Sequence, residues 1–218
     1  MSNRWSKALI VGGAPNVPHR CPCEDGRTLV ICADSGAGTL RHWGVKPQWI
    51  VGDMDSISAD DLAYWEQRDV EFRRFPVEKD KTDMDLAVDF ALEEQVPEVW
   101  ITGAWGGRVD HSLGNVEILF RLATAGIANR IVTDDGYLTV VGDAWEATLP
   151  RESTVSLLPM TSVVRGITTQ GLYYSLRDAV LKRGSTLGIS NHTVASPVSL
   201  TTVSGLLLVM VAPPQPRL

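Results

Sequence analysis

The chain contains no run of eighteen apolar residues, which argues against a membrane-spanning helix. Met1 to Trp5 lacks the basic start and apolar stretch of a secretory leader. Cysteine is scarce: Cys21 and Cys23 sit in a Pro-rich loop, Cys32 ends an apolar run, and no second pair stands at zinc-ligand spacing. A structural zinc site needs four ligands, so ordinary reduced thiols and a cytoplasmic location are expected. Basic patches are missing too. The twenty Lys and Arg are scattered and the net charge is −6, which excludes general nucleic-acid binding. There is no Gly-x-x-x-x-Gly-Lys-Ser/Thr loop, protein-kinase signature set, Gly-x-Ser-x-Gly elbow or His-Glu-x-x-His helix, so the commonest nucleotide, hydrolase and zinc-protease readings lose their main support. No internal repeat or low-complexity tract is present, and no Phe, Tyr or Trp follows Tyr174.

What is present is an ordinary globular composition, 44% hydrophobic and 21% charged over 218 residues, enough for one full domain and a smaller one. Two styles of sequence meet near Gly142. Before it, short apolar runs at Ala8 to Val11, Thr28 to Cys32, Trp49 to Val51, Val99 to Thr102 and Ile131 to Thr133 alternate with helical patterns at Ala37 to Trp43, Asp60 to Arg68, Thr82 to Gln95 and Leu113 to Ala125. That alternation predicts an α/β domain over residues 1–142, a largely parallel sheet with helices on both faces. Beyond it, β-branched segments at Val155 to Leu158, Val163 to Thr169, Leu187 to Ser190, Val198 to Val203 and Leu206 to Val211 are punctuated by Gly, Pro and Ser. They predict a smaller all-β, sandwich-like domain over 143–218, ending in a frayed tail from Pro213 to Leu218.

Ligands of open parallel sheets sit outside the carboxyl ends of the strands, so the residues following each strand carry the functional information. Asp34 follows the second strand. Asp53 and Asp55 follow the third, and in an extended segment residues two apart point to one side and can share a hard cation, although such a pair also serves turns and caps. A second acidic cluster, Lys79-Asp80-Lys81-Thr82-Asp83-Met84-Asp85, opens a predicted helix. Thr82 and Asp85 have capping-box spacing, and Asp83 and Asp85 lie about 200° apart around a helix, so Asp83 and then Asp80 are the better ligands. The glycines from Gly103 to Gly107, followed by Arg108, have the ingredients of an anion site: approachable amides and a guanidinium. Asp110 either holds Arg108 or caps the next helix, and His111 either contacts phosphate or is a structural hydrogen bonder.

Taken in order, Ala33-Asp34-Ser35-Gly36-Ala37, Gly52-Asp53-Met54-Asp55-Ser56, Lys79-Asp80-Lys81-Thr82-Asp83 and Gly103-Ala104-Trp105-Gly106-Gly107-Arg108-Val109-Asp110-His111 resemble the thiamine pyrophosphokinase family, and the match continues in Gly188-Ile189-Ser190-Asn191 and Ser204-Gly205-Leu206-Leu207. The resemblance implies a Mg²⁺-dependent transfer of the diphosphate of ATP to the hydroxyl of thiamine, by a homodimer with active sites between subunits. It implies Asp53, Asp55, Asp80 and Asp83 as metal ligands, with Asp55, Asp80, Asp83 and Arg108 catalytic and one carboxylate as an alternative acceptor of the alcohol proton. Asp34, Lys79, Thr82, Gly106, Gly107, Arg108, Asp110 and His111 would meet ATP, and Ser190 and Asn191 would meet thiamine. Some family members place a Trp in the last strand to stack on thiamine. Here Leu206-Leu207-Leu208 stands there, which turns attention to Trp105 or to a different acceptor. The competing readings are a diphosphokinase for another small alcohol, such as a pterin, and a thiamine or nucleotide sensor without turnover.

Overall fold

The computed structural model describes residues 4–23 and 25–214; of the expected tail, residues 215–218 lie outside them. The chain divides into two compact units, residues 1–118 with 127–134 and residues 119–126 with 135–218.

The first unit is built on six parallel strands: β1 (Lys7–Val11), β2 (Thr28–Ala33), β3 (Trp49–Gly52), β4 (Glu71–Arg74), β5 (Glu98–Thr102) and β6 (Ala128–Thr133). Their order is β6-β5-β1-β2-β3-β4. The chain therefore works outward from β1 to one edge and returns to β5 on the other side of β1. The strand order reverses between β1 and β5, and a ligand crevice is expected at their carboxyl ends. Every residue of β2 is buried, as befits a strand covered on both faces. Alternation along the strands decides which helix meets which side chain. Leu9, Val11, Val30, Cys32 and Ile50 form one core with Ala37 and Leu40 of α1 (Ala37–Trp43) and Trp65 of α2 (Ala59–Glu66). Helix α3 (Asp83–Glu93) packs on β1, β2 and β3 through Met84, Ala87, Val88 and Ala91, the i, i+3, i+4, i+7 stripe expected of an amphipathic helix. Each fully buried Leu, Ile or Val side chain of these cores contributes about 1.5–3 kcal/mol.

Strand β4 escapes the sequence reading because Glu71-Phe72-Arg73-Arg74 has no apolar run. It is an edge strand that half-exposes its side chains, with Arg73 lying over the Trp49 ring at 3.8 Å. Helix α4 (Val109–Thr124) starts four residues before the expected Leu113.

The second unit holds β7 (Gly136–Val141), β8 (Ala144–Ala147), β9 (Thr154–Pro159), β10 (Val163–Gln170), β11 (Ala179–Lys182), β12 (Asn191–His192), β13 (Val198–Thr201) and β14 (Leu207–Ala212). Antiparallel pairing orders them β12-β9-β14-β7 and β11-β10-β13-β8. Val155, Leu157, Leu207, Val209 and Val211 of the first group close a core with Trp145, Val164, Ile167, Leu181, Val198 and Leu200 of the second, two layers burying one face each. The expected strand at Leu187 to Ser190 is instead a turn. Ile189 N–H donates to Thr186 O, Gly188 O accepts from Leu157 N–H, and Ser190 adopts φ 59°. A β-carbon on Gly188 would lie 2.4 Å from Leu157 O, so close backbone approach wins over the apolar pattern.

Candidate active site

A cleft of about 990 Å³ opens at the carboxyl ends of the parallel strands. Its floor is where the loops after β1 and β5 run side by side: Gly12 N–H donates to Thr102 O at 2.8 Å and Ala14 N–H to Gly103 O at 2.8 Å, extending the β1–β5 pairing beyond the sheet. Gly103 permits this. Its φ is 60°, and a β-carbon there would sit 2.1 Å from Gly12 O. Gly12, Gly13, Ala14 and Pro15 all line the cleft, yet the sequence reading passed over them because they carry no charge; the signal available was a Gly-Gly pair directly after a buried strand.

Three carboxylates converge on one wall. Asp34, in a 3-10 turn (Asp34–Gly36) after β2, offers an oxygen that lies within 4.8 Å of oxygens from Asp53 after β3 and Asp83 at the start of α3, all three mutually within that distance. The register Ala33↔Val51 brings the ends of β2 and β3 level, and the packing of α3 on both strands delivers Asp83. Gly52 makes room: a β-carbon there would stand 3.1 Å from Asp34 Cβ and from Asp83 Cγ. Asp34 and Met54 hold φ values of 43° and 70°, backbone conformations that carry a cost for non-glycine residues and cluster at functional sites. Asp34 is buried and its Oδ1 has no hydrogen-bond partner. Burial raises its pKa most; the nearby Ser56 hydroxyl opposes this, and the charges of Asp83, Asp53 and Asp55 add to the rise.

Lys79 is the counter-charge of the cluster. Its Nζ lies 3.3 Å from Asp53 Oδ2 and 3.2 Å from Asp83 Oδ1, and it also donates to Pro76 O. Burial works against the ammonium, but the hydrogen bonds and charges of Asp83 and Asp53 outweigh it and raise its pKa. Asp53 is held below the usual carboxylate value first by the Asp55 backbone N–H and then, against burial, by Asp55 and Lys79 side-chain contacts.

Asp55 lines the cleft but is not one of the three converging carboxylates. Its N–H donates to Asp53 Oδ1 at 3.1 Å, an Asx turn rather than the extended segment that the two-residue spacing suggested, and its own Oδ1 accepts from Ser56. Asp80 is an exposed residue of the cleft rim. Thr82 is the N-cap of α3, its Oγ1 accepting from Asp85 N–H at 3.2 Å.

On the opposite wall lie Gly106, Gly107, Arg108, Asp110 and His111. Asp110 holds Arg108 in a two-pronged ion pair, 2.6 and 3.2 Å, that is open to solvent. Arg108 draws the Asp110 pKa down to about 2. Because α4 begins at Val109, Asp110 and His111 occupy its first turn. Two side chains of α4 brace the glycine loop: Ser112 Oγ accepts from Gly106 N–H at 3.1 Å, and buried Asn115 Nδ2 donates to Ala104 O at 2.7 Å. Neither was singled out from the sequence, because both are uncharged and lie within the helix. Trp105 does not line this cleft.

Ser190 and Asn191 belong to the second unit. Ser190 N–H donates to Ser156 Oγ at 2.9 Å, and the Asn191 side chain both accepts from Tyr174 N–H and donates to Tyr174 O.

Comparison with known proteins matches residues 24–132 to the family described as thiamin pyrophosphokinase, catalytic domain, and residues 146–207 to thiamin pyrophosphokinase, vitamin B1 binding domain. The thiamine pyrophosphokinase of Bacillus subtilis is 31% identical over 206 residues, 93% of this chain and 96% of its own. This chain belongs to the thiamine pyrophosphokinase family. The crystal structure of the Bacillus subtilis family member has a TM-score of 0.88 at 30% identity, covering 95% of this chain and 99% of that one. That of thiamin pyrophosphokinase from Geobacillus thermodenitrificans has a TM-score of 0.85 at 31% identity, covering 97% and 100%. The cleft falls within the first unit and its acidic wall within the catalytic-domain match, which Gly12 to Pro15 precede, and Ser190 and Asn191 fall within the vitamin B1 binding match.

Proposed function

We propose that this chain transfers the diphosphate group of ATP to the hydroxyl of thiamine, giving thiamine diphosphate and AMP, with Mg²⁺ as the metal. The observation that carries the proposal is the convergence of Asp34, Asp53 and Asp83 at the carboxyl ends of β2 and β3 in a thiamine pyrophosphokinase family fold. The cluster fits a hard divalent cation. Its donors are all carboxylate oxygens, Lys79 is the cation that pairs with it among the described residues, and Asp34 keeps a buried oxygen without a hydrogen bond. Asp34, Asp53 and Asp83 would hold the ion, while Asp55 and Asp80 extend the acidic wall beside them. Bound there, Mg²⁺ would supply charge neutralisation for the phosphate oxygens.

The chain's own groups supply the rest. Lys79 holds Asp53 and Asp83 together and faces the cleft as a phosphate contact, with Thr82 beside it at the N-terminus of α3. Arg108 is tied only to a solvent-exposed Asp110, and exposed pairs are weak, so it can trade that carboxylate for phosphate at little cost. Gly106 N–H is already taken by Ser112, so the Gly107 backbone, His111 and the first turn of α4 meet the anion. With ATP gripped on both walls, the thiamine hydroxyl oxygen attacks the β-phosphorus, its proton passing to a carboxylate of the acidic wall or to solvent, and the bond to the α-phosphoryl oxygen breaks, releasing AMP; catalysis is positioning and charge stabilisation.

We further infer a homodimer with active sites formed between subunits, supported by the family resemblance, and a cytoplasmic location, supported by three cysteines of which none is in a disulfide. No helix among the described residues is long and apolar enough to cross a membrane.

Purified protein incubated with ATP, Mg²⁺ and thiamine should yield AMP and thiamine diphosphate by chromatography, and EDTA should abolish both. ADP with thiamine monophosphate would overturn the diphosphate transfer, and absence of any thiamine product would overturn the acceptor.

A further inference from the structure

Residues 146–207, the vitamin B1 binding match, contain just two residues of the Phe, Tyr and Trp class, Tyr173 and Tyr174. They are adjacent, and their exposures are 60% and 64%. Elsewhere in the second unit Trp145 is buried in the core, Tyr137 packs against it, and Phe120 is a half-buried residue of α4. The last strand offers no open face at the corresponding point, since Leu207 and Leu208 of β14 are buried.

The two tyrosines are exposed but not loosely held. Asn191 Oδ1 accepts from Tyr174 N–H at 3.0 Å while its Nδ2 donates to Tyr174 O at 2.8 Å, so one buried amide clamps both sides of a single residue. Tyr173 N–H donates to His192 O at 2.9 Å. The His192 ring stacks on Tyr173, centroids 4.7 Å apart and planes 20° apart, and Tyr174 stands edge-on to Tyr173 at 4.9 Å and 89°. Such a cluster is preorganised: its rings are oriented by backbone and by each other before any ligand arrives, which lowers the ordering cost of binding. Aromatic faces attract flat rings and cations, and a thiazolium joined to an aminopyrimidine is both.

We propose that Tyr173 and Tyr174 form the platform on which the rings of thiamine stack, with His192 buttressing Tyr173 and Asn191 positioning Tyr174. This rests on thiamine being the acceptor. The platform supplies the aromatic surface that the Leu206-Leu207-Leu208 segment does not.

The test is full-length Tyr173→Ala, Tyr174→Ala and the double variant, assayed for thiamine and ATP dependence and, separately, for thiamine binding alone by calorimetry. Each single change should lower kcat/KM for thiamine about tenfold, the double change by more, with the KM for ATP unaltered; Tyr174→Phe or Tyr174→Trp should restore it. A double variant with wild-type kcat/KM for thiamine overturns the platform while leaving the activity intact. So does a loss that Phe and Trp fail to restore and that accompanies a smaller species in gel filtration, because the face would then join copies of the chain. If wild-type protein makes no thiamine product, calorimetry decides alone: thiamine binding lost in the double variant supports the platform without the enzyme reading, and no wild-type binding overturns both.

Discussion

Replacing Asp34 by Asn should make the metal-free protein more stable while removing its Mg²⁺ response. Three carboxylates meet within 4.8 Å with one lysine between two of them. Two unit charges at that separation repel by about 3.5 kcal/mol at an effective dielectric of 20. Asp34 faces two such partners. Lys79 offsets roughly one of them, and the partial exposure of Asp53 and Asp83 screens the remainder, so about 2 kcal/mol is a reasonable gain. Asparagine keeps the shape, and its amide can donate to the neighbouring carboxylates, giving a partner to the position where Asp34 Oδ1 has none. For a chain of this size that gain is a rise in melting temperature of about 4–8 °C in EDTA. The effect also has a pH signature. A carboxyl whose folded-state pKa is raised binds its proton more tightly when folded, so this component of stability is present below the ordinary value of 3.8 and is lost as pH rises through the raised value. Metal-free wild type should therefore weaken relative to the variant as pH climbs through that window. Thermal melts with EDTA and with saturating Mg²⁺ read both effects: wild type should gain on adding Mg²⁺, and Asp34→Asn should gain little and turn over at least about a hundredfold more slowly. A variant that melts at or below wild type in EDTA would refute the charge-crowding argument.

Lys79→Gln should act in the opposite direction. It leaves Asp53 and Asp83 without their cation, so its EDTA melting temperature should fall by about 2–4 °C and added Mg²⁺ should recover more than in wild type. The raised Lys79 pKa places loss of this contribution at alkaline pH, above the ordinary 10.5, so the difference should be flat across neutrality. Arg108→Ala removes an exposed pair and should leave the urea midpoint unchanged, while the KM for ATP rises about tenfold in steady-state assays; an unchanged KM would take Arg108 out of the phosphate grip. Thr82→Ala removes the cap of α3 and should cost about 1 kcal/mol in urea unfolding, which Thr82→Ser should largely spare.

How much of this site was legible depends on what each residue's position rests on. Asp53, Asp83, Arg108 and Asp110 stand directly after buried strands or at a helix start, where apolar runs and helical periodicity already say that a strand end or a first turn must be, so the one-dimensional pattern located them in the cleft. Gly12 to Pro15 and Ser112 were not found because backbone amides and a bracing hydroxyl leave no charge to notice. β4 was not found because an edge strand can be made of Glu and Arg when Trp49 and Phe90 supply faces for Arg73. The acidic wall shows the deeper limit. Sequence spacing paired Asp53 with Asp55, since residues two apart share a side of a straight strand. The chain is not straight there: Met54 turns at φ 70° and the Asp55 amide folds back onto Asp53 Oδ1. The carboxylates that converge with Asp53 are separated from it by nineteen and thirty positions, Asp34 and Asp83 (53 − 34 and 83 − 53), and only the level ends of β2 and β3 with α3 laid across them create that proximity. In a parallel sheet every strand end returns to the same edge, so a carboxylate's partners are chosen by strand order and register before they are chosen by its neighbours in the chain. Asp34 therefore belongs with Asp53 because their strands pair, and any reading of such a site from sequence should compare one strand end with the next before comparing residues within a loop.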